Sequence, residues 1–273
     1  MLESSDLWFK HVQAYMNMNL SKESDRTMAF SGIVSSFGQS QKLTGTYLAG
    51  LWRSHLPFVL CWYVDRSKTL RSSQYTAPSW TWASLHGPFK LGYREDSKRV
   101  TTSSASFLVT LDSASITSSD SLGKVGSVVG GAITVRGNIT GPVTIGTNDG
   151  TLHLVDEKTG EQFVNPRFDE NDENGPLITS MDSRPSEKAK AAIKGAMRQV
   201  ERLTDYRGSL FILPIAHVSN YNHVHCLILY QPLREGSVFY RVGCLVLHET
   251  PGVRDFQYRV THTLDPETLI TVL

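Results

Sequence analysis

The spacing of apolar residues changes once along this chain, near Phe58, and that change restricts the fold to a helical front joined to a β-rich body. Before it, Leu7, Trp8, His11, Val12, Tyr15 and Met16 recur at helical spacing and predict an amphipathic helix over about 7–19. Ser21 or Ser24 caps a second helix, Asp25 suits the dipole of its first turn, and Met28, Ala29, Ile33 and Phe37 form its apolar stripe up to a stop at Gly38. A third helix is expected from just after Thr46 to the region of Pro57. From Phe58 onward Val, Ile, Thr and aromatic runs take over, beginning with strands at 58–64 and at Trp80-Thr81-Trp82.

Further strands are expected over 107–116, 125–139, 143–145, 152–155, 210–218, 224–230, 238–247 and 269–272, with Asn148-Asp149-Gly150 as a tight hairpin turn. An exposed connection at about 160–187 holds Asn165-Pro166, an acidic run from Asp169 to Glu173, and Gly175-Pro176. A helix follows at about 186–203, where Ala189, Ala192, Ile193, Ala196, Val200 and Leu203 share a face. The predicted fold class is α+β: a helical N-terminal region over 1–60, then a β-rich domain over 61–273. That domain is expected to be an antiparallel sandwich or partly open barrel with one inserted helix.

Composition removes several function classes. With 27 Lys+Arg against 26 Asp+Glu the formal charge is +1, which gives no electrostatic reason for a nucleic-acid or anionic-membrane partner. Cys61, Cys226 and Cys244 are an odd count in a chain too large to need stapling, so reduced, buried thiols and a cytoplasmic setting are expected. The first residues, Met1-Leu2-Glu3-Ser4-Ser5-Asp6, have neither the basic nor the apolar region of a secretory leader, so the sequon Asn138-Ile139-Thr140 is not expected to be glycosylated. The longest apolar stretch, 47–64, is interrupted by Arg53, His55 and Pro57 and reads as buried structure rather than a membrane span.

Few residues carry a chemical signal. Trp80 and Trp82 would share one face of a strand, either as a stacking platform for a ligand or, the favoured reading, as an aromatic pair filling the joint between the two parts. His223 and His225 stand two apart on a strand, the spacing that lets two imidazoles share a zinc ion. A third ligand would come from His217, His248 or Glu249. Exposed turn residues are the simpler reading of that pair. Cys61 has no basic neighbour in sequence to activate it, and the carboxylates from Asp169 to Glu173 read as a solvated loop. There is no nucleophile elbow, phosphate loop, zincin motif or dinucleotide fingerprint, so no catalytic residue and no cofactor are expected.

One set of ordered motifs goes further. Trp8 and Tyr15, Leu20-Ser21, Asp25-Arg26 leading to Ser31-Gly32-Ile33, Tyr47-Leu48-Ala49-Gly50-Leu51-Trp52, Leu60-Cys61-Trp62 and Pro78-Ser79-Trp80-Thr81-Trp82-Ala83-Ser84 follow one another in the first third. This stretch resembles the region downstream of the HET module in fungal heterokaryon incompatibility proteins, with fainter echoes at 123–137 and at Phe239-Tyr240-Arg241-Val242-Gly243. It departs from the family pattern at Met16 and Met18, where Ser and Arg are usual. The blocks of the HET module itself do not occur in this sequence. The resemblance implies a non-catalytic, recognition or scaffolding element of a non-self recognition and programmed cell death system. Its expected partner is a HET module or another protein, met through the N-terminal helices. Two other readings are open: a truncated or degenerate paralogue whose first helix would expose Trp8, Val12 and Tyr15, and a metal-dependent enzyme using His223 and His225.

Overall fold

A computed structural model describes residues 2–18, 29–41, 46–64, 70–71, 75–87, 89–91, 105–119, 128–148, 151–169, 208–219, 222–232, 238–248 and 268–273. Two helices open it, α1 (Leu2–Met16) and α2 (Ser31–Ser40). Short strands follow: β1 (Tyr47–Leu48), β2 (Leu51–Trp52), β3 (Trp62–Val64), β4 (Leu70–Arg71), β5 (Leu85–His86) and β6 (Phe89–Leu91). The body is built from β7 (Ala105–Phe107), β8 (Val109–Ser118), β9 (Val128–Gly137), β10 (Thr140–Asn148), β11 (Thr151–Asp156), β12 (Gln162–Val164), β13 (Arg167–Phe168), β14 (Gly208–Val218), β15 (His223–Pro232), β16 (Val238–His248) and β17 (Thr268–Val272). The α+β class therefore holds.

The front departs from expectation in instructive ways. Helix α1 begins five residues earlier than its apolar stripe, and Trp8, Val12, Tyr15 and Met16 are all buried. In α2 the buried residues are Val34 and Phe37 while Ile33 is exposed, so the inward face keeps Phe37 of the expected stripe and takes Val34 in place of Ile33. Gly38 does not end this helix; a Cβ there would lie 2.9 Å from the Trp52 ring, so the glycine serves close approach rather than termination. The proposed caps Ser21 and Ser24, together with Asp25 and Met28, lie outside the described residues.

No third α-helix forms over 46–57. Ala49 (φ 46°) and Gly50 (φ 116°) both take positive φ, which a right-handed helix cannot accommodate and a two-residue hairpin turn requires. Tyr47 accordingly pairs with Trp52 and Leu48 with Leu51. Single 3-10 turns occupy Arg53–His55 and Phe58–Leu60, which shortens the strand expected over 58–64 to Trp62–Val64. Among the described residues no helix is long and apolar enough to cross a membrane.

In the body the expected strands appear with their ends moved by a few residues, and a regular antiparallel pair runs from Val143↔Asp156 to Asn148↔Thr151 on either side of the expected turn, whose Asp149 and Gly150 lie outside the described residues. The sheet order is β12-β11-β10-β14-β15-β16-β17-β9-β8, antiparallel except for the β16–β17 pair. The path returns on itself. Strand β7 pairs with β14, runs through Leu108, whose N–H donates to the Ile215 carbonyl at 2.9 Å, and continues directly into β8. Residues from around that ring, including Val109, Val135, Leu213, Leu227, Phe239 and Ile270, share one apolar cluster with the aromatic side chains of the front. A second cluster, centred on Leu154, Phe163, Ile212, Ile228 and Val242, lies where the β10–β12 meander packs on β14–β16.

The start of the expected exposed connection is only partly exposed: Gly160, Gln162, Val164 and Asn165 face solvent, but their neighbours turn inward. Phe163 and Phe168 are buried, β13 pairs with β16, and Asp169 is 1 % exposed. The remainder of 160–187 and the helix expected over 186–203 lie outside the described residues.

Candidate functional site

The front helices and turns converge on one backbone carbonyl. Both the Trp8 and the Trp82 indole N–H groups donate to the carbonyl oxygen of Gly50, at 2.8 and 2.7 Å. Around Trp8, Phe30, Phe37, Tyr47 and Trp52 place their ring centroids 5.0–5.9 Å away at tilted to perpendicular angles, the arrangement that aromatic quadrupoles favour. The face of α1 expected to be free is therefore consumed inside the chain. All five tryptophans are buried.

Trp80 and Trp82 reach this joint without forming a strand. Thr81 N–H donates to Pro78 O at 3.1 Å and Ser84 N–H to Thr81 O at 3.2 Å, so the segment is two successive turns, and Trp80, Thr81, Trp82 and Ala83 are all buried rather than alternating. The indoles form an aromatic joint, in line with the favoured sequence reading. The Trp62 indole N–H donates to Trp80 O at 3.1 Å and ties β3 to these turns.

Arg241 fastens the joint to the body. It lies on β16 with no exposed surface, its guanidinium carbon 3.2 Å from the centre of the Trp62 ring. Nη1 donates to Leu60 O at 2.8 Å, and Nη2 donates to Trp62 O and, at 3.1 Å, to Asp169 Oδ1. Its backbone N–H donates to Ser79 Oγ at 2.9 Å, and the Ser79 hydroxyl in turn donates to Leu273 O. A buried guanidinium needs its charge and most of its donors matched, and here two carbonyls and one carboxylate take up the two Nη groups while an indole face covers the plane. Arg53 makes a second tie, from Nη1 to Ala114 O on β8 at 3.1 Å.

The Asp169 to Glu173 run was expected to be solvated, and its first member is instead the counter-charge of this core. A signal for it was present: an arginine within Val238–Leu247, with apolar residues on either side, calls for a buried acid elsewhere in the chain. The sequence did not identify Asp169 as that acid.

Burial disfavours the thiolate at Cys61 and Cys226. All three cysteines are free and buried. Burial pushes the Cys61 thiol far up, with Cys244 adding to the rise and Arg241 opposing it, and burial likewise raises Cys226. Thiolate chemistry is suppressed at both.

Histidines occupy two further places. His55, 2 % exposed, sets Nε2 3.0 Å from Ser4 Oγ, and burial lowers its pKa to about 4. Because the folded chain refuses a proton that the unfolded chain accepts, stability is complete above about pH 6.5 and falls as pH drops from there to about 4, by on the order of 3 kcal/mol. Urea midpoints measured across that window should shift less in His55→Gln than in the parent; equal shifts would show that His55 is not the group responsible.

At the end of the body, His223 and His225 are not brought to a common third ligand. His225 is buried opposite Val246, whereas His223 faces His248. His217 stands opposite Val224, one position out of phase with them, and its Nε2 lies 3.1 Å from Asn222 Oδ1. Glu249 lies outside the described residues, and among those residues no group of three His, Cys, Asp or Glu is placed to hold a metal ion.

No protein-family model, no curated protein and no solved structure matches this chain.

Proposed function

We propose that this chain is the non-catalytic C-terminal region of a HET-type heterokaryon incompatibility protein. In that role it acts in the cytoplasm as the folded platform against which a HET effector module is held or restrained during non-self recognition. The observation that supports the reading is convergence. The segments that carry the resemblance are dispersed through the first third and at Phe239–Gly243, yet Trp8, Gly50, Trp62, Ser79, Trp82 and Arg241 meet in one bonded joint. Residues recurring in order for a positioning role are expected to make such fixed contacts, since a recognition signal can be relayed only by parts of defined geometry. The partner contact uses a surface other than the Trp8–Val12–Tyr15 face, which is buried.

The test is expression in a filamentous fungus of a HET module alone, this chain alone, and the two fused with this chain downstream. This chain alone should leave growth unaffected, and the fusion should change the threshold at which the HET module arrests growth. Arrest caused by this chain alone would overturn the reading. So would a HET module that behaves identically with and without it, which is the result a degenerate paralogue gives.

A further inference from the structure

We infer that the ends of β15 and β16 carry a two-histidine chelate for a borderline divalent transition-metal ion, with His223 Nε2 and His248 Nδ1 as its ligands. The inference is independent of the proposed HET role. His223 and His248 are direct partners in the antiparallel register, so their backbones are fixed by the ladder, and β14 supports His223 from the other side through Val218. Their rings are 4.1 Å apart between centroids and 77° apart in plane, with the two nitrogens separated by 2.8 Å.

That separation is close to what a metal needs. An imidazole nitrogen binds Zn²⁺ at about 2.0–2.1 Å, so two such ligands at right-angled or tetrahedral positions lie about 2.9–3.4 Å apart. The nitrogens therefore have to part by a few tenths of an ångström, and the rings to turn so that both lone pairs point at one shared position instead of at each other. Without metal one ring hydrogen sits between them. On binding, the ring that carries it holds its proton on its other nitrogen instead, and both lone pairs then face the ion.

The chemistry of the pair sets the class of ion. Two neutral imidazoles favour Cu²⁺, Ni²⁺ or Zn²⁺ over the oxygen-seeking Ca²⁺ and Mg²⁺. No third ligating side chain among the described residues completes the set, and His248 is exposed, so water fills the remaining positions. Sequence spacing pointed to His225 as the second ligand, but the cross-strand neighbour His248 takes that place.

Calorimetric titration of the purified chain with CuCl₂, NiCl₂ and ZnCl₂ near neutral pH tests this directly. One equivalent is expected to bind most tightly for Cu²⁺, following the Irving–Williams order, and to raise the unfolding temperature. His223→Asn and His248→Asn should each lose that equivalent while His217→Asn keeps it, and CaCl₂ should bind at none of them. Absence of a saturable equivalent, or its persistence in either the His223 or the His248 variant, would overturn the inference. Circular dichroism of each variant separates lost ligands from lost folding.

Discussion

Arg241→Met should lower the stability of the fold by about 3–5 kcal/mol, measured as a loss of urea midpoint with an unchanged slope. The change leaves Asp169, at 1 % exposure, as a buried charge without its counter-ion. It also strips the Leu60 and Trp62 carbonyls of their guanidinium donors. Against a typical domain stability of about 5–15 kcal/mol, that is enough to leave much of the protein unfolded on mild warming. Arg241→Lys should recover only part of the loss, because one ammonium cannot span two carbonyls and a carboxylate while lying flat on an indole. The double variant Arg241→Met with Asp169→Leu should be more stable than Arg241→Met alone, since removing both charges removes the unmatched one. If the double variant is no better, the loss comes from the carbonyls and the Trp62 face rather than from the stranded carboxylate.

Gly50→Ala comes next in expected size, at about 2–5 kcal/mol. Gly50 has φ 116°, and a Cβ there would stand 2.6 Å from the Trp82 indole nitrogen. A side chain at that position strains the hairpin turn and pushes away one of the two indoles whose N–H groups meet on the Gly50 carbonyl. Gly32→Ala supplies the control: nothing lies within 4 Å of a Cβ added at that position of α2, so the same chemical change should stabilise the helix by about 0.5–1 kcal/mol. Thermal unfolding of the two variants in parallel distinguishes a crowded glycine from a dispensable one. Equal shifts would mean that the Trp82 contact does not restrict Gly50.

The strands of the body were legible because their side chains obey a local rule. Val, Ile and Leu at sheet spacing, with Asn148-Asp149-Gly150 between two of the runs, suffice to place the β10–β11 hairpin and the long strands β14 to β16. The front was less legible because its conformation is decided at a distance. Tyr47 to Pro57 has the composition of a buried helix, and only the positive φ of Ala49 and Gly50, set by the indoles that close on the Gly50 carbonyl, turns it into a hairpin. Trp80 and Trp82 were rightly read as core, yet their alternation suggested a strand where consecutive turns bury both rings and the residues between. The site was the least legible part. Arg241 and Asp169 are 72 residues apart, and His223 and His248 are 25 apart, so only strand pairing brings either pair together.

The placement of β17 bears on how the chain is made. This strand fills the slot between β9 and β16, and the carbonyl of Leu273 just beyond it receives the hydroxyl of Ser79, 194 residues earlier. Translation must therefore pass residue 273 before the ring of strands can close or the aromatic front can be pinned to it. Until then a nascent chain carries two unpaired strand edges and an incompletely covered apolar face, the features that recruit chaperones and seed association. Loss of residues 268–273 should therefore be felt as failed maturation of the whole rather than as one frayed strand.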